Sequence, residues 1–231
     1  MVAPLFVASY SSDYTVTSTT SNATVTTQPG DLLVVYAASE GGGYTFSTPT
    51  GNGVTFTLQQ SVSINNQWCN AYIWSGVDSV GGNNWTLSST WGGAACHWGI
   101  TCLVFRNSGG VGASYSYNVD SALPSLGLTT TQDNSAVVVL DADWYAVDGT
   151  SRTWLTVNGI TPTSGNGLET NYAYVYNIYT VYGAYYNDVG LAGADTFGLS
   201  APPGQRYSIV ALEVKGLVTV PNATVTAWLT A

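Results

Sequence analysis

Short runs of alternating apolar and polar residues recur along this chain, and hardly any stretch has the 3.6-residue spacing of an amphipathic helix. The runs are rich in threonine, valine, tyrosine and tryptophan, the residue types that favour pleated strands. Glycine, asparagine and proline separate the runs at short intervals, which is typical of a sandwich or barrel. With 231 residues, 45% of them hydrophobic, the chain can build one large core. The sequence therefore predicts an all-β protein.

Two of the predicted strands are apolar on both faces. Leu32–Ala37 and Ala136–Leu140 contain almost only aliphatic residues, and such strands lie in the centre of a sheet that is covered on both sides. The other clear predicted strands are Val54–Gln59, Cys69–Trp74, Trp85–Ser89, His97–Arg106, Tyr172–Val181, Asp195–Leu199 and Tyr207–Val214. We expect these strands to form an antiparallel two-sheet β-sandwich with the two apolar strands in its core.

The chain repeats one pattern in two halves. Gly30-Asp31 precedes the first apolar strand, and Asp133-Asn134-Ser135 precedes the second. In each half a glycine-rich loop, an aromatic strand and a closing strand follow. We predict half-repeats over residues 1–106 and 129–216, joined by a connection over 107–128 that is rich in glycine, serine and proline. This repeat over residues 1–216 fits either the two sheets of one sandwich or the paired motifs of a jelly roll.

A five-residue sequence occurs near both ends of the chain. Asn22–Thr26 and Asn222–Thr226 both read Asn-Ala-Thr-Val-Thr, an alternation that suits an edge strand. In a chain this rich in threonine, coincidence is one explanation. The other is that residues 217–231 form an extended C-terminal arm that pairs with a sheet edge, on this subunit or a neighbouring one. Trp228 would be the apolar anchor of that arm.

The charge balance argues against two classes of partner. Thirteen acidic residues against four basic ones give a formal net charge of −9. Such a surface repels phosphate backbones and anionic membranes, and no basic stripe reverses the effect. We therefore expect no nucleic-acid and no membrane partner. The N-terminal segment lacks a basic region and contains Pro4, so we expect a protein made in the cytoplasm without a signal peptide.

The three cysteines, Cys69, Cys96 and Cys102, are an odd number, which argues against a disulfide framework. We predict that they are small buried residues. A metal site that combines His97 with Cys96 and Cys102 is disfavoured, because His97 and the cysteines fall on opposite faces of the predicted strand.

Acidic residues offer little catalytic chemistry. Asp141, Asp143 and Asp148 are the best metal candidates: calcium binds such oxygens, but the spacing matches no EF-hand, and solvated loop acids are the simpler interpretation. A glycosidase needs two facing carboxylates, and Glu40, Glu169 and Glu213 occur in no paired motif. We predict Glu213 at a strand rim or bonded to Arg206. The sequence therefore predicts no catalytic residues, no cofactor and no enzyme.

Tyrosine and tryptophan are the abundant side chains, with 16 and 8 copies. Tyr172, Tyr174 and Tyr176 share one face of a predicted strand, and Tyr185 and Tyr186 follow. Three interpretations stay open for these residues: packing between strands, contact between subunits, and stacking on sugar rings. The same interpretations apply to Trp68, Trp74, Trp91 and Trp98.

Several motifs together resemble a known β-sandwich family. Gly30-Asp31-Leu-Leu-Val is followed by Thr48-Pro49-Thr50-Gly51, an aromatic stretch over 68–77, Trp85–Leu87 and a closing Val104-Phe105-Arg106. The second half has Pro124-Ser125, a threonine run over 129–131 and a closing Ala211–Gly216. The order and spacing match over residues 2–216. This chain departs from the usual pattern at Asn52, where the typical member has tryptophan.

The family occurs in minor tail and other virion structural proteins of tailed bacteriophages, and in some secreted bacterial proteins. The resemblance implies a jelly-roll-like sandwich in a phage particle, first as a minor tail protein and next as a head-decoration protein. It implies other virion proteins and further copies of this chain as partners, with a trimer as one arrangement, and a host-surface glycan as a candidate ligand. It brings no catalytic residues. The alternative is a secreted carbohydrate-binding or adhesin module.

Overall fold

The structure is a computed structural model that describes residues 2–41, 43–63, 69–144, 152–162, 170–175 and 179–218. These residues form strands, turns and loops, and every strand pair is antiparallel. The predicted all-β antiparallel sandwich is confirmed. Within the described ranges, no helix has the length and apolar character needed to cross a membrane.

The strands are numbered in chain order. Those of the first half are β1 (Leu5–Ser11), β2 (Thr17–Ser18), β3 (Thr20–Thr27), β4 (Asp31–Ser39), β5 (Thr57–Ser63), β6 (Asn70–Asp78), β7 (Gly82–Thr90) and β8 (Cys96–Arg106). Those of the second half are β9 (Ser108–Ala122), β10 (Ser125–Thr129), β11 (Ala136–Asp143), β12 (Thr153–Trp154), β13 (Thr170–Val175), β14 (Tyr179–Tyr186), β15 (Ala194–Ala201) and β16 (Gln205–Gly216).

Two inner sheets face each other across a central core. The first inner sheet has the order β1-β8-β4-β6-β5, with β2 also paired to β8, and the second has the order β13-β14-β11-β16-β9. The core between them includes Val34 and Tyr36 of β4, Val138 and Leu140 of β11, and Leu212 of β16. All residues of β4 and β11 are buried, which confirms the prediction that both are central strands.

A smaller outer sheet covers the remaining face of each inner sheet. The pair β3-β7 packs on the first inner sheet, where Val25 and Leu87 meet Val35 of β4. The sheet β10-β15-β12 packs on the second inner sheet, where Leu126 and Phe197 meet Val139 of β11. The structure thus adds two outer layers to the predicted pair of sheets. These layers explain why β4 and β11 need apolar residues on both faces.

The same strand order occurs twice along the chain. In the inner sheets β9-β16-β11-β14-β13 repeats β1-β8-β4-β6-β5, and in the outer sheets β10-β15 repeats β3-β7. The turn before each central strand also repeats, because Gly30 (φ 90°) and Asn134 (φ 59°) both adopt the left-handed conformation. Glycine and asparagine are the residues that tolerate this conformation best. Jelly-roll connectivity stays a prediction.

Two predictions of secondary structure are wrong. Residues 107–128 do not form a connection, because they contain β9 and most of β10. Their glycine and serine content is typical of a loop, but Ser114 and Ser116 face the polar rim of the sandwich and contact Gln60 of β5. The single strand predicted over Tyr172–Val181 is two paired strands, β13 and β14, in which Val175 is opposite Tyr179.

The two ends of the described chain lie side by side. The Val2 amide donates a hydrogen bond to the Leu217 carbonyl, at 3.1 Å. Leu217, predicted as the first residue of the C-terminal arm, therefore contacts the sandwich. The rest of the arm beyond Val218, with Trp228 and the second Asn-Ala-Thr-Val-Thr sequence, lies outside the described residues. The first copy of that sequence lies in β3, as its alternation predicts.

Candidate functional site

Asp141 and Asp143, the predicted calcium candidates, lie on the outward face of β11, beneath the second outer sheet. Both side chains are fully buried, so they are not solvated loop acids. Neither carboxylate oxygen of Asp141 has a hydrogen-bond partner among the described residues. Burial and the neighbouring Asp143 raise the pKa of Asp141 well above its ordinary value. The neutral carboxyl is therefore favoured at this position.

A neutral carboxyl is a poor calcium ligand, because calcium needs charged or strongly polar oxygens. Asp148, the third candidate, lies outside the described residues. Among the side chains that the structure describes, no three histidines, cysteines, aspartates or glutamates converge as metal ligands would. Calcium binding by Asp141, Asp143 and Asp148 stays a prediction.

Glu213 of β16 has a structural environment that the sequence did not indicate. Its buried carboxylate accepts hydrogen bonds from the backbone amides of Ala113 (2.8 Å), Thr131 (3.0 Å) and Gln132 (3.0 Å). The Thr131 and Ser135 hydroxyls donate at 2.8 Å each. Burial raises the pKa of Glu213, but the bonds from Ala113, Ser135 and Thr131 outweigh it and lower the pKa below its usual value. Glu213 thus ties β9 and the β10–β11 turn to β16.

Arg206 is not the partner of Glu213, so that prediction is wrong. Arg206 forms a two-point ion pair with Asp120 of β9, with both nitrogen–oxygen distances at 2.9 Å. The physical reason is strand alternation: Arg206 and Glu213 are seven residues apart in the same strand, so their side chains point to opposite faces.

Asp31 and Arg106, which belong to two of the motifs that carry the family resemblance, are in contact. Arg106 Nε and Nη2 lie 2.8 and 2.9 Å from the two oxygens of Asp31. The backbone N–H of Gln28 also donates to the Asp31 carboxylate, so this carboxylate closes the turn that precedes β4. Asp31 is 1% exposed and Arg106 33% exposed. The pair joins the beginning of β4 to the end of β8 and has a structural role.

Glu40 and His97 are a second pair that the sequence did not indicate. His97 Nδ1 lies 2.9 Å from Glu40 Oε2, and the His97 amide donates to Glu40 Oε1 at 2.9 Å. A carboxylate can orient a histidine base in this way. The adjacent thiol of Cys96 is a poor nucleophile, because burial and Glu40 raise its pKa to about 12. Cys69 and Cys102 are buried, as predicted.

The aromatic candidates whose side chains the structure describes lie in the core. Tyr185 stacks on Phe6 at 4.4 Å in the central core, and the Tyr186 hydroxyl donates to the Gly198 carbonyl at 3.2 Å beneath the second outer sheet. The structure therefore assigns Tyr185 and Tyr186 to the core rather than to a surface. Trp74, Trp91 and Trp98 are also core residues.

The other aromatic candidates are not described at the level of side chains. Tyr172 and Tyr174 lie in β13, a segment that the structure describes by its backbone. Trp68, Tyr176 and Trp228 lie outside the described residues. Their proposed binding or interface roles stay predictions.

A small groove opens between two tyrosines that the sequence did not single out. It has a volume of about 270 Å³ and is lined by Gly43, Tyr44, Thr45, Ser63, Asn70 and Tyr72. Tyr44 is 55% exposed and forms one wall. Ser63 of β5 is directly opposite Asn70 of β6 in the strand register, so their side chains share the face that carries Tyr72. We call this the Tyr44–Tyr72 groove.

In the side-chain amide of Asn70 the nitrogen has hydrogen-bond partners and the oxygen has none among the described residues. Its nitrogen donates to the carbonyls of Gly41 (3.0 Å) and Tyr44 (3.1 Å), which fixes the position of the amide oxygen. Asn70 is fully buried, and its oxygen has no hydrogen-bond partner among the described residues. The Ser63 hydroxyl is also buried and unpartnered there. Each such group costs about 1–3 kcal/mol of stability, so their presence at one groove calls for a reason.

Aromatic neighbours hold both walls of the groove. The Tyr44 ring meets Trp91 edge to face at 5.7 Å. The Tyr72 ring contacts Phe46 at 5.1 Å and Trp74 at 5.5 Å. The groove is thus built from rings that are positioned before any ligand arrives. The sequence offered one signal for it: Tyr44 follows the glycine run 41–43, where a turn can present a ring to solvent.

The β9 edge strand presents a second set of exposed rings. Tyr115 and Tyr117 are 49% and 44% exposed. Their neighbours Ser114, Ser116 and Asn118 turn the other way and bond to β5, so the two rings face outward. β9 ends the order of the second inner sheet, so one of its edges has no strand partner among the described residues. An edge of this kind can accept another chain.

The described carboxylates of Asp31, Asp78, Glu40 and Glu213 accept hydrogen bonds from groups within the fold. Among the described residues, Tyr44, Tyr115 and Tyr117 are tyrosines whose rings are exposed. No protein-family model, curated protein or solved structure matches this chain.

Proposed function

We propose that this chain is a non-enzymatic structural protein of a tailed-phage virion, with a minor tail protein as the first assignment and a head-decoration protein as the second. The proposal starts from the family resemblance of the Gly30-Asp31 and Val104-Phe105-Arg106 motifs. In this role the protein acts through assembly with other virion proteins and with further copies of itself. The proposal includes contact with the host surface as a second task of the same particle component.

The observation that carries the proposal is how the ionisable side chains are used. Asp31 and Glu213 bind backbone amides and side chains that lie up to 100 residues away in sequence. Acids committed in this way stabilise a fold and are not free for proton transfer to a substrate. The repeated, four-layer sandwich suits a particle component, which must resist the medium without cofactors or disulfides.

Mass spectrometry of purified phage particles tests the proposal. We expect the chain among the particle proteins, at a fixed copy number relative to the major tail or capsid protein. Recovery of the chain only from the culture medium, and never with particles, would contradict the proposal. Antibody labelling in electron micrographs then separates a tail position from a head position.

Assembly is tested by removal of the C-terminal segment. Truncation after Val218 keeps the Val2–Leu217 hydrogen bond and every described strand. We expect the truncated chain to keep its far-ultraviolet circular dichroism and to lose its oligomeric state in light scattering. An oligomer of unchanged mass would refute the arm prediction and leave the virion assignment to the particle experiment.

The second candidate function is a secreted carbohydrate-binding or adhesin module. The Tyr44–Tyr72 groove favours this second function, because small-ligand sites commonly combine aromatic walls with a few polar groups, as this groove does. This alternative predicts the chain in the medium of uninfected cells, whereas the virion assignment predicts it in particles.

A further inference from the structure

We propose that the Tyr44–Tyr72 groove binds one ring of a neutral sugar, with Asn70 and Ser63 bonding to its hydroxyl groups. Nothing in the family resemblance assigns a ligand to these residues. The proposal goes beyond the virion role and does not depend on it. The same site would serve an attachment protein or a secreted module.

The polar end of the groove, formed by Asn70 and Ser63, suits a ligand with hydroxyl groups. The two carbonyls that hold the Asn70 nitrogen leave the amide oxygen as an acceptor in a fixed direction. The Ser63 hydroxyl, which can donate and accept, lies on the adjacent strand directly opposite. Neighbouring sugar hydroxyls supply donors and acceptors side by side, and they would satisfy both buried groups. An apolar ligand would leave both groups unpartnered.

The walls of the groove, formed by the Tyr44 and Tyr72 rings, suit a ligand with an apolar face. A sugar ring carries several C–H groups on one side, and these pack on the face of tyrosine or tryptophan. Tyr44 is exposed enough to meet such a face, and Trp91 supports it from behind. Gly93 makes this arrangement possible, because a Cβ there would lie 2.7 Å from Cδ2 of Tyr44. Rings fixed in advance lose little conformational entropy on binding.

Charge and size narrow the ligand class. No charged side chain is among the described residues that line the groove, so it offers nothing to neutralise a phosphate, sulfate or carboxylate. The volume of about 270 Å³ is just below the roughly 300–1,000 Å³ of sites for drug-sized molecules. One sugar ring therefore fits, with the rest of a glycan outside.

The test is a titration of the full chain with uncharged methyl glycosides of glucose, galactose, mannose and N-acetylglucosamine. Saturation-transfer NMR and chemical shifts of the tyrosine rings report binding. We expect saturable binding of at least one glycoside, with a Kd on the order of 1 mM because one ring offers few contacts. A methyl sialoside, which carries a carboxylate, serves as the charged probe and should bind more weakly.

Three variants assign the binding to this groove. Tyr44→Ala should weaken binding at least about tenfold, whereas Tyr44→Phe should keep it, because the ring and not the hydroxyl stacks. Ser63→Ala should also weaken binding about tenfold without lowering the melting temperature, because its hydroxyl has no described protein partner. Tyr115→Ala is the matched control: its ring is similarly exposed but lies on the second inner sheet.

Specific outcomes would overturn the proposal. One is the absence of saturable binding for every glycoside in the panel. Another is binding that Tyr44→Ala and Ser63→Ala leave unchanged, or that Tyr115→Ala abolishes. Preference for the sialoside over all neutral glycosides would refute the ligand class. None of these results bears on whether the chain is found in particles, so the two proposals fail separately.

Discussion

At the scale of single residues, Glu213 and Asp141 show how differently a buried carboxyl can be treated. Both are fully buried in the second half of the chain. Glu213 accepts hydrogen bonds from three backbone amides and two hydroxyls, so its charged form is stabilised. Asp141 has no such partner among the described residues, and its neutral form is favoured. The opposite pKa shifts lead to opposite predictions for mutation and for pH.

Replacing Glu213 with glutamine should destabilise the protein strongly. The amide group of glutamine cannot accept from every donor that surrounds the carboxylate, so buried amides of the β10–β11 turn lose their partner. We expect the free energy of unfolding in urea at pH 7 to fall by about 2–4 kcal/mol. Asp195→Asn, which also removes one negative charge but from a partly exposed side chain, is the control and should change little.

The lowered pKa of Glu213 also predicts a pH dependence. Its contribution to stability is complete above the pKa of the unfolded chain, about 4.3, and is lost as pH falls through the lower pKa of the folded state. Urea unfolding of the parent chain should therefore shift to lower midpoints below that range. The Glu213→Gln variant should lack this part of the acid sensitivity; equal pH profiles for the two proteins would contradict the assignment.

The raised pKa of Asp141 predicts the opposite dependence of stability on pH. Since its folded-state pKa is raised, its cost grows as pH rises above the unfolded value of about 3.9. Asp141→Asn should therefore raise the free energy of unfolding at pH 7 by more than about 1 kcal/mol, because the folded state keeps the Asp141 carboxyl protonated at a pH where the unfolded chain ionises it, and asparagine carries no such cost. Added calcium gives the competing outcome: if Asp141, Asp143 and Asp148 bind it, calcium raises the melting temperature of the parent chain and not of the variant.

At the scale of elements, side-chain clamps set where strands begin and end. Asp31–Arg106 joins the start of β4 to the end of β8, and Glu40–His97 joins the other ends of the same two strands. Asp120–Arg206 makes the same two-point contact between β9 and β16. The two aspartate–arginine pairs differ in burial, since Asp31 is 1% exposed and Asp120 47% exposed. Because the contact geometry is the same, we expect burial to decide how much each of these two pairs contributes to the free energy of unfolding.

The two aspartate–arginine pairs provide a matched comparison. Asp31→Asn should lower the free energy of unfolding by about 1–3 kcal/mol, because it removes the charge of a carboxylate that is 1% exposed and that accepts hydrogen bonds from Arg106 and the Gln28 backbone. Asp120→Asn, in an exposed pair, should cost less than about 1 kcal/mol and less still at high salt. Urea unfolding of both variants gives the comparison. Equal losses for the two variants would contradict the claim that burial decides the contribution of each pair.

At the scale of the whole molecule, the two repeats of the strand order share one core. The apolar inner faces of β4 and β11 bury each other, while their outer faces are covered within their own half. Gly183 of β14 shows how close the inner sheets lie, because a Cβ there would collide with the Tyr36 hydroxyl of β4. A half by itself would expose a complete apolar sheet face, which soluble monomers avoid.

The shared core predicts that neither half folds alone. Fragments of residues 1–107 and 108–218, expressed separately, should aggregate or show no near-ultraviolet circular dichroism. When they are expressed together, they should form a complex with the spectrum of the intact chain. A soluble, monomeric fragment with dispersed NMR signals would show that one half is an independent domain.

Local pattern by itself determined the all-β class and the central places of β4 and β11, because alternation and residue type act within a few residues. Only the tertiary structure decided which faces meet. It turned the serine-rich stretch after Asn107 into β9, buried Tyr185 and Tyr186, and brought Arg106 to Asp31 across 75 residues. It also assembled the Tyr44–Tyr72 groove from β5, β6 and a glycine-rich turn. Burial and hydrogen-bond partners depend on contacts between distant strands, which no local pattern encodes.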